Sequence, residues 1–171
     1  MNEAAAYGGI MTGGAIQNNT GHRGAAVNIY SDDRDKRAIF TLEDDGLITR
    51  NTGISANGNE AGGAVFVEDN AAFHMIGGTV SANKASKGGG ICIVDSALQR
   101  GTAEYGTEFL MDGGVISGNR AGTGGGIYSF SNGRFLRSGK IINNTATYSG
   151  GGLYSEGKAL MVTALPIYII P

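Results

Sequence analysis

Apolar residues recur along this chain at i and i+2 in short bursts. Phe40 with Leu42, Phe73 with Met75, and Phe109 with Met111 each follow that spacing, which predicts one buried face of a β-strand. A second aliphatic position follows, at Ile16, Ile54, Val80, Ile116 and Ile142. A third comes after a run of glycines, at Val27, Val65, Ile91, Ile127 and Leu153. Three such strips, repeated along the chain, predict a narrow core of stacked aliphatic rows. The position directly after the third strip holds Asn28, Phe66, Cys92, Tyr128 and Tyr154. So mixed a set predicts an outer face.

The bursts belong to a longer phrase. Residues Phe73 to Cys92 return almost letter for letter as Phe109 to Tyr128, and in worn form as Phe135 to Tyr154. Asn19, Asn57, Asn83 and Asn119 each stand 8 positions before the third-strip residue, and Asn144 stands 9 before Leu153. Successive asparagines are 38, 26, 36 and 25 positions apart, so the bare unit is 25 or 26 residues and the excess is insertion. Units of this length cannot bury an apolar face alone and must stack on their neighbours. The pattern therefore predicts an all-β solenoid of about five coils, a single domain over residues 1–171. Its repeats span about 9–154, and an apolar segment occupies 155–171.

Glycine makes up 31 of the 171 residues, far above the usual share of about 7%. The glycines hold fixed repeat positions, as at Gly13-Gly14, Gly77-Gly78 and Gly113-Gly114, and predict tight corners between short strands. Asparagine fits two roles, a corner residue in the left-handed region or a rung in a stack of side-chain amides. Asn19, Asn57, Asn83, Asn119 and Asn144 are the predicted structural ladder on either reading. Proline occurs only at Pro166 and Pro171, which leaves every internal strand its N–H groups for pairing.

The phrase F-x-M-x-G-G-x-[IV]-x-x-N-x-A-x-x-G-G-G-[IL]-Y resembles the repeat of right-handed parallel β-helix surface proteins of host-associated bacteria. It is also similar to the polymorphic outer-membrane protein repeat, whose G-G-A-[ILV] half is matched by Gly13-Gly14-Ala15-Ile16 and Gly62-Gly63-Ala64-Val65. The F-x-x-N half of that repeat is missing, and the likeness runs from about Gly9 to Tyr154. The resemblance implies a right-handed parallel β-helix, a hand that crossover connections also favour. It further implies an adhesive or structural module at the bacterial cell surface or outside the cell. The N-terminal residues lack the charged and apolar segments of a signal peptide, so localisation follows from the resemblance, and the chain reads as a stretch of a longer solenoid.

A net charge of −2 with no basic stripe argues against nucleic acid. The lone Cys92 excludes an intramolecular disulfide and leaves pairing between chains open. Insertions are where a ligand site is expected, because loops on one side of a solenoid form its usual binding surface. Two long links, Val27 to Phe40 and Ile91 to Phe109, and an apparent seven-residue insertion between Phe40 and Ile54 carry the charge. The candidate binding residues are Asp32, Asp33, Asp35, Asp44, Asp45 and Arg50, facing a host or glycan ligand. Their carboxylates have the chemistry to hold calcium, but alternating signs favour a solvated loop. No metal or cofactor is assigned.

Catalysis on a polysaccharide would need a carboxylate pair across a groove or an acidic cluster with a base. Those six residues are the only local group rich enough, and they match no such pattern. His22 is expected at an exposed corner and His74 on the outer side of its strand, neither with a partner. No catalytic residue is predicted; a carbohydrate-binding or carbohydrate-active β-helix is the alternative. Phe66, Tyr128 and Tyr154 would serve as a sugar platform or as coil-to-coil packing, with packing favoured. Thr79, Thr107 and Thr123 occupy unrelated repeat positions, which argues against an ice-binding array. From Ala159 onward 13 uncharged residues are too few for a membrane span, which needs about 20. Leu160 and Val162 are expected inward in a partial sixth coil, leaving Ile167, Ile169 and Ile170 uncovered. That predicts self-association through the C-terminal end or docking of a further domain.

Overall fold

The computed structural model describes residues 7–33, 36–54, 62–95, 106–130, 133–156, 161–162 and 168–170. Among these, every regular element is a strand, and each repeat supplies the same short series. The first gives β1 (Tyr7–Met11), β2 (Ala15–Gln17), β3 (Thr20–Gly21) and β4 (Val27–Ile29). The second gives β5 (Ala38–Leu42), β6 (Leu47–Thr49), β7 (Thr52–Gly53) and β8 (Val65–Glu68). The third contributes β9 (Ala71–Met75), β10 (Thr79–Ser81) and β11 (Ile91–Val94). In the fourth, the first two strands fuse into β12 (Glu108–Ser117), followed by β13 (Arg120–Thr123) and β14 (Ile127–Phe130). The fifth repeats that plan with β15 (Gly133–Ile142), β16 (Thr145–Ser149) and β17 (Leu153–Ser155), and β18 (Met161–Val162) and β19 (Tyr168–Ile170) follow.

All pairing is parallel. A ten-stranded sheet gathers the first and second strands of every repeat, joined into one because β12 and β15 run through both positions. A five-stranded sheet holds β4, β8, β11, β14 and β17 in that spatial order, and two-stranded sheets pair β3 with β7 and β13 with β16. The register stacks like on like. Val27, Val65, Ile91, Ile127 and Leu153 form one continuous row, as the spacing predicts. Met11, Leu42, Met75, Met111 and Leu136 form another. These rows face one another in a single apolar core that includes Phe73, Phe109, Ile48, Val80 and Ile116. The Phe73 and Phe109 rings stack with centroids 5.6 Å apart.

The second strip differs from expectation in two repeats. Its row runs Ile16, Ile48, Val80, Ile116 and Ile141. Ile48 and Ile141 are fully buried, whereas Ile54 is 43% exposed and Ile142 is only partly buried. The fifth copy is also slipped by one, since Phe135 pairs with Leu110 and Arg134 stands opposite Phe109. The feature that fixes the register is a glycine two positions before each inward aliphatic, at Gly14, Gly46, Gly78, Gly114 and Gly139. Thr52 occupies that place ahead of Ile54. Six of the seven inserted residues therefore belong after this strip: Asn51 to Val65 spans 14 positions where Asn83 to Ile91 spans 8, and residues 55–61 lie outside the described set. Ile48→Ala is expected to cost about 2–5 kcal/mol and Ile54→Ala less than about 1. Equal losses in urea melts would return the strip to Ile54.

Asparagine resolves as a ladder. Asn51, not Asn57, supplies the second rung, and Asn57 lies outside the described residues. The backbone N–H and the side-chain Nδ2 of Asn19 both donate to Asn51 Oδ1, at 3.0 and 2.9 Å. Asn51 does the same to Asn83, Asn83 to Asn119, and Asn119 to Asn144. The second Nδ2 hydrogen closes onto a carbonyl, as from Asn83 to Ile48 and from Asn119 to Val80. The corner itself falls one residue earlier. Asn18, Arg50, Ala82, Gly118 and Asn143, each immediately before a rung, all have φ between 54 and 63°. Ala82 holds this left-handed conformation without the relief glycine offers, a cost of roughly 1–2 kcal/mol. The ladder is what fixes it there.

At the C-terminal end β18 and β19 add to β15. Val162 is in register with Leu136 and Ile169 with Ile141, so the backbone extends the sheet past β15. Leu160 and Ile167 lie outside the described residues.

Candidate functional site

The charged residues singled out in the sequence do not assemble. Asp32 and Asp33 sit on the link from β4 to β5, where Asn70 Nδ2 donates to the Asp33 carbonyl at 2.8 Å. Asp33 faces Lys36 at 3.6 Å. Asp44 and Asp45 form the turn at the other end of β5, with Asp44 at φ 45° and the turn closed by Gly46 N–H donating to the Glu43 carbonyl at 3.0 Å. Five residues of extended strand separate the two groups by roughly 16 Å. Arg50 is an exposed corner residue of the ladder, and Asp35 lies outside the described residues. Among the described residues no three His, Cys, Asp or Glu side chains are placed to hold a metal ion.

The row expected on the outer face is covered. Phe66, Cys92 and Tyr128 form a second buried cluster, roofed by cations and carboxylates of neighbouring repeats. The Arg23 guanidinium lies 6.0 Å from the Phe66 ring centre and Lys87 Nζ lies 5.0 Å from that of Tyr128. Arg23 also donates to Glu68 at 3.0 Å, and the Tyr128 hydroxyl donates to Glu156 at 2.8 Å. Burial, reinforced by the Glu156 bond, raises the Tyr128 hydroxyl above its ordinary range. Burial likewise pushes the Cys92 thiol up to about 12, so it is neither ionised nor accessible for pairing between chains at neutral pH. Phe66, Cys92 and Tyr128 are thus packed, and Tyr154 stacks on Tyr128 with ring centroids 5.5 Å apart while staying half-buried.

His74 does have partners. Its Nε2 lies 3.1 Å from Glu108 Oε1, and Arg37 Nη1 donates to Glu108 Oε2 at 3.1 Å. The His74 hydrogen bond, with the charge and hydrogen bond of Arg37, holds the Glu108 carboxyl below the usual range against the opposing effect of burial. Three repeats are tied together by this cluster; Arg37 Nη2 also donates to the Gly106 carbonyl at 3.5 Å, and the buried Arg37 Nε is left without a hydrogen-bond partner among the described residues. His22 is exposed as expected, with Nδ1 3.0 Å from the Ile54 carbonyl.

A different surface gathers chemistry. Each ladder asparagine turns inward, so the next residue turns out, and these residues form the row Thr20, Thr52, Lys84, Arg120 and Thr145, paired strand to strand. Three threonines thus do share a repeat position, but two long cations interrupt them, which rules out a flat threonine array. Beside this row lies an open groove of about 390 Å³ lined by Lys84, Arg120, Gly122, Thr145 and Thr147. The register between β13 and β16 shifts here, with Ala121 opposite Ala146 but Thr123 opposite Ser149. Gly122 alone therefore opposes both Thr147 and Tyr148, a β-bulge that re-aims the side chains on its strand. Tyr148 is left 82% exposed. Its ring lies over Gly122, 3.5 Å from where a Cβ there would stand. The trace of this bulge in the sequence is the 9-residue step from Asn144 to Leu153, where Asn19 to Val27, Asn83 to Ile91 and Asn119 to Ile127 are each 8.

No known family, curated protein or solved structure matches the chain.

Proposed function

We propose that the chain is a right-handed parallel β-helix serving as a non-catalytic structural or adhesive module of a bacterial surface or extracellular protein. The observation that carries this reading is the buried asparagine ladder. Five amides bonded through five repeats, four of them buried and flanked by apolar rows, stiffen the stack along its axis while leaving the outer residues free to vary. The scattered carboxylates support the non-catalytic part, since glycoside chemistry needs two of them across one cleft. No helix among the described residues is long and apolar enough to cross a membrane.

A second reading, a carbohydrate-binding module, draws support from the groove at Lys84 and Arg120. It is compatible with the first, because an adhesive stack needs a face that binds. Self-association through the apolar C-terminal segment belongs to the same proposal. Incubation with pectin, alginate and neutral polysaccharides, with and without calcium, is expected to release no reducing or unsaturated products. Product formation abolished by Asp44→Ala or Asp45→Ala would overturn the non-catalytic reading. Sedimentation over a dilution series is expected to show association that deletion of residues 164–171 removes, and a concentration-independent monomer would exclude assembly through this end.

A further inference from the structure

We propose that the groove beside the bulged strand β16 binds an acidic oligosaccharide, its anionic groups held by Lys84 and Arg120 and a sugar ring laid on Tyr148. This rests on the carbohydrate-binding reading and specifies its ligand.

Lys84 and Arg120 follow successive ladder asparagines and pair backbone to backbone, which sets their strands about 4.8 Å apart. Like charges at directly opposed positions repel, and among the described residues no carboxylate forms an ion pair with either of them. Lys87, which pairs with Thr123 of β13, is committed to the Tyr128 ring. An anion seated between Lys84 and Arg120 relieves their repulsion, and a guanidinium presents a planar fork suited to carboxylate or sulfate.

Charge alone would accept any anion, and the hydroxyls of the groove, with the exposed ring that lies over its wall at Gly122, narrow the choice. Thr145 and Thr147 bring hydroxyls that both donate and accept, the pairing a polyhydroxylated chain requires. Tyr148 brings an aromatic face with a polar tip, the amphipathic surface that sits where one side of a ligand is apolar and the other wet. An exposed tyrosine of this kind gains nothing for folding. The bulge that turns it outward interrupts the pairing of β13 with β16, and such interruptions concentrate beside sites where a side chain is re-aimed. Ala85 and Ala121, also in the groove wall, keep the floor low enough for a chain to lie along it.

The test is titration calorimetry on the full chain with four probes: a defined oligogalacturonate, a sulfated heparin-derived oligosaccharide of similar length, a neutral cello-oligosaccharide, and inorganic sulfate. Binding of one or both acidic oligosaccharides is expected, weakened by added salt, and the tighter of the two identifies the anion. Lys84→Gln and Arg120→Gln should each lose about tenfold in affinity. Tyr148→Ala should lose about tenfold for the oligosaccharides while leaving any sulfate binding unchanged. All three residues are exposed, so unchanged thermal melting serves as the folding control. Equal affinity for the neutral oligosaccharide would overturn the acidic ligand while leaving the carbohydrate-binding reading standing. Equal affinity for sulfate with no effect of Tyr148→Ala would reduce the groove to a charge patch and overturn the proposal. Absence of binding to all four would remove both the proposal and the reading beneath it.

Discussion

Replacing Asn119 with alanine is expected to destabilise the fold by about 3–5 kcal/mol, far beyond the loss of a typical single hydrogen bond. The side chain sits at the centre of the ladder with no exposed surface. Its Oδ1 accepts from both the backbone N–H and Nδ2 of Asn83, each at 3.0 Å, and its Nδ2 donates to Val80 and Asn144, each at 3.0 Å. Alanine leaves the Asn83 N–H and the Val80 carbonyl buried without those partners. Each such orphan costs about 1–3 kcal/mol. Asn119→Asp should be no milder, since it restores the acceptor but sets a second oxygen against two others and brings a charge into a buried site. Urea denaturation of the two variants checks this, and a loss under about 1 kcal/mol for alanine would mean the ladder is incidental to stability.

Gly89→Ala is the second large effect, about 3 kcal/mol or more. Gly89 is not among the residues with positive φ, so the usual argument from conformational freedom does not apply. What forbids a side chain is the next repeat. A Cβ on Gly89 would lie 2.5 Å from the Arg120 carbonyl oxygen and 2.5 Å from that of Gly125, well inside contact distance. The repeats would have to part where Gly89 N–H donates to the Gly124 carbonyl at 3.1 Å. Gly13→Ala is the matched control, because nothing lies within 4 Å of its Cβ position and its φ is not positive. Thermal melting should separate the two widely; similar shifts would show that the glycine run is not a packing requirement.

The third strip was legible from the glycine-rich run before it, joined in four repeats by a step of 8 or 9 from the ladder asparagine; in the second repeat the 8-residue step starts from Asn57, which is not the rung. The second strip misled in two repeats, by one position in the fifth and, in the second, because Ile48 and Ile54 both stand three residues before an asparagine. Only the glycine two places ahead of Ile48 separates them, and that glycine matters through close packing, since a Cβ on Gly46 would lie 2.6 Å from Leu42 Cδ1 and 3.0 Å from the Met11 carbonyl oxygen. The outer row misled for another reason. Phe66, Cys92 and Tyr128 do lie on the face away from the core, but Arg23, Lys87 and Glu156 reach over them from elsewhere in the chain. Alternation along a strand carries no information about such a roof. The charged loops drew attention by composition, yet β5 keeps Asp33 and Asp45 apart. The groove is built from three repeats whose residues look unremarkable one by one, and a single extra position before Leu153 is its only mark.

The ladder also has a direction. Because a backbone N–H can only donate, the Oδ1 of each following asparagine must point back toward the repeat before it, and all five amides align with the same sense from Asn19 to Asn144. The stack thus carries a chain of dipoles whose acceptor end faces the first repeat and whose donor end faces the last. Whatever continues the row beyond Asn144, whether further repeats or a second molecule, must meet it with an acceptor. Two identical copies joined last repeat to last repeat would set donor against donor. End-on contact through the ladder therefore favours polar, head-to-tail growth over a two-fold dimer, a heterologous geometry that does not close on itself unless the stack curves.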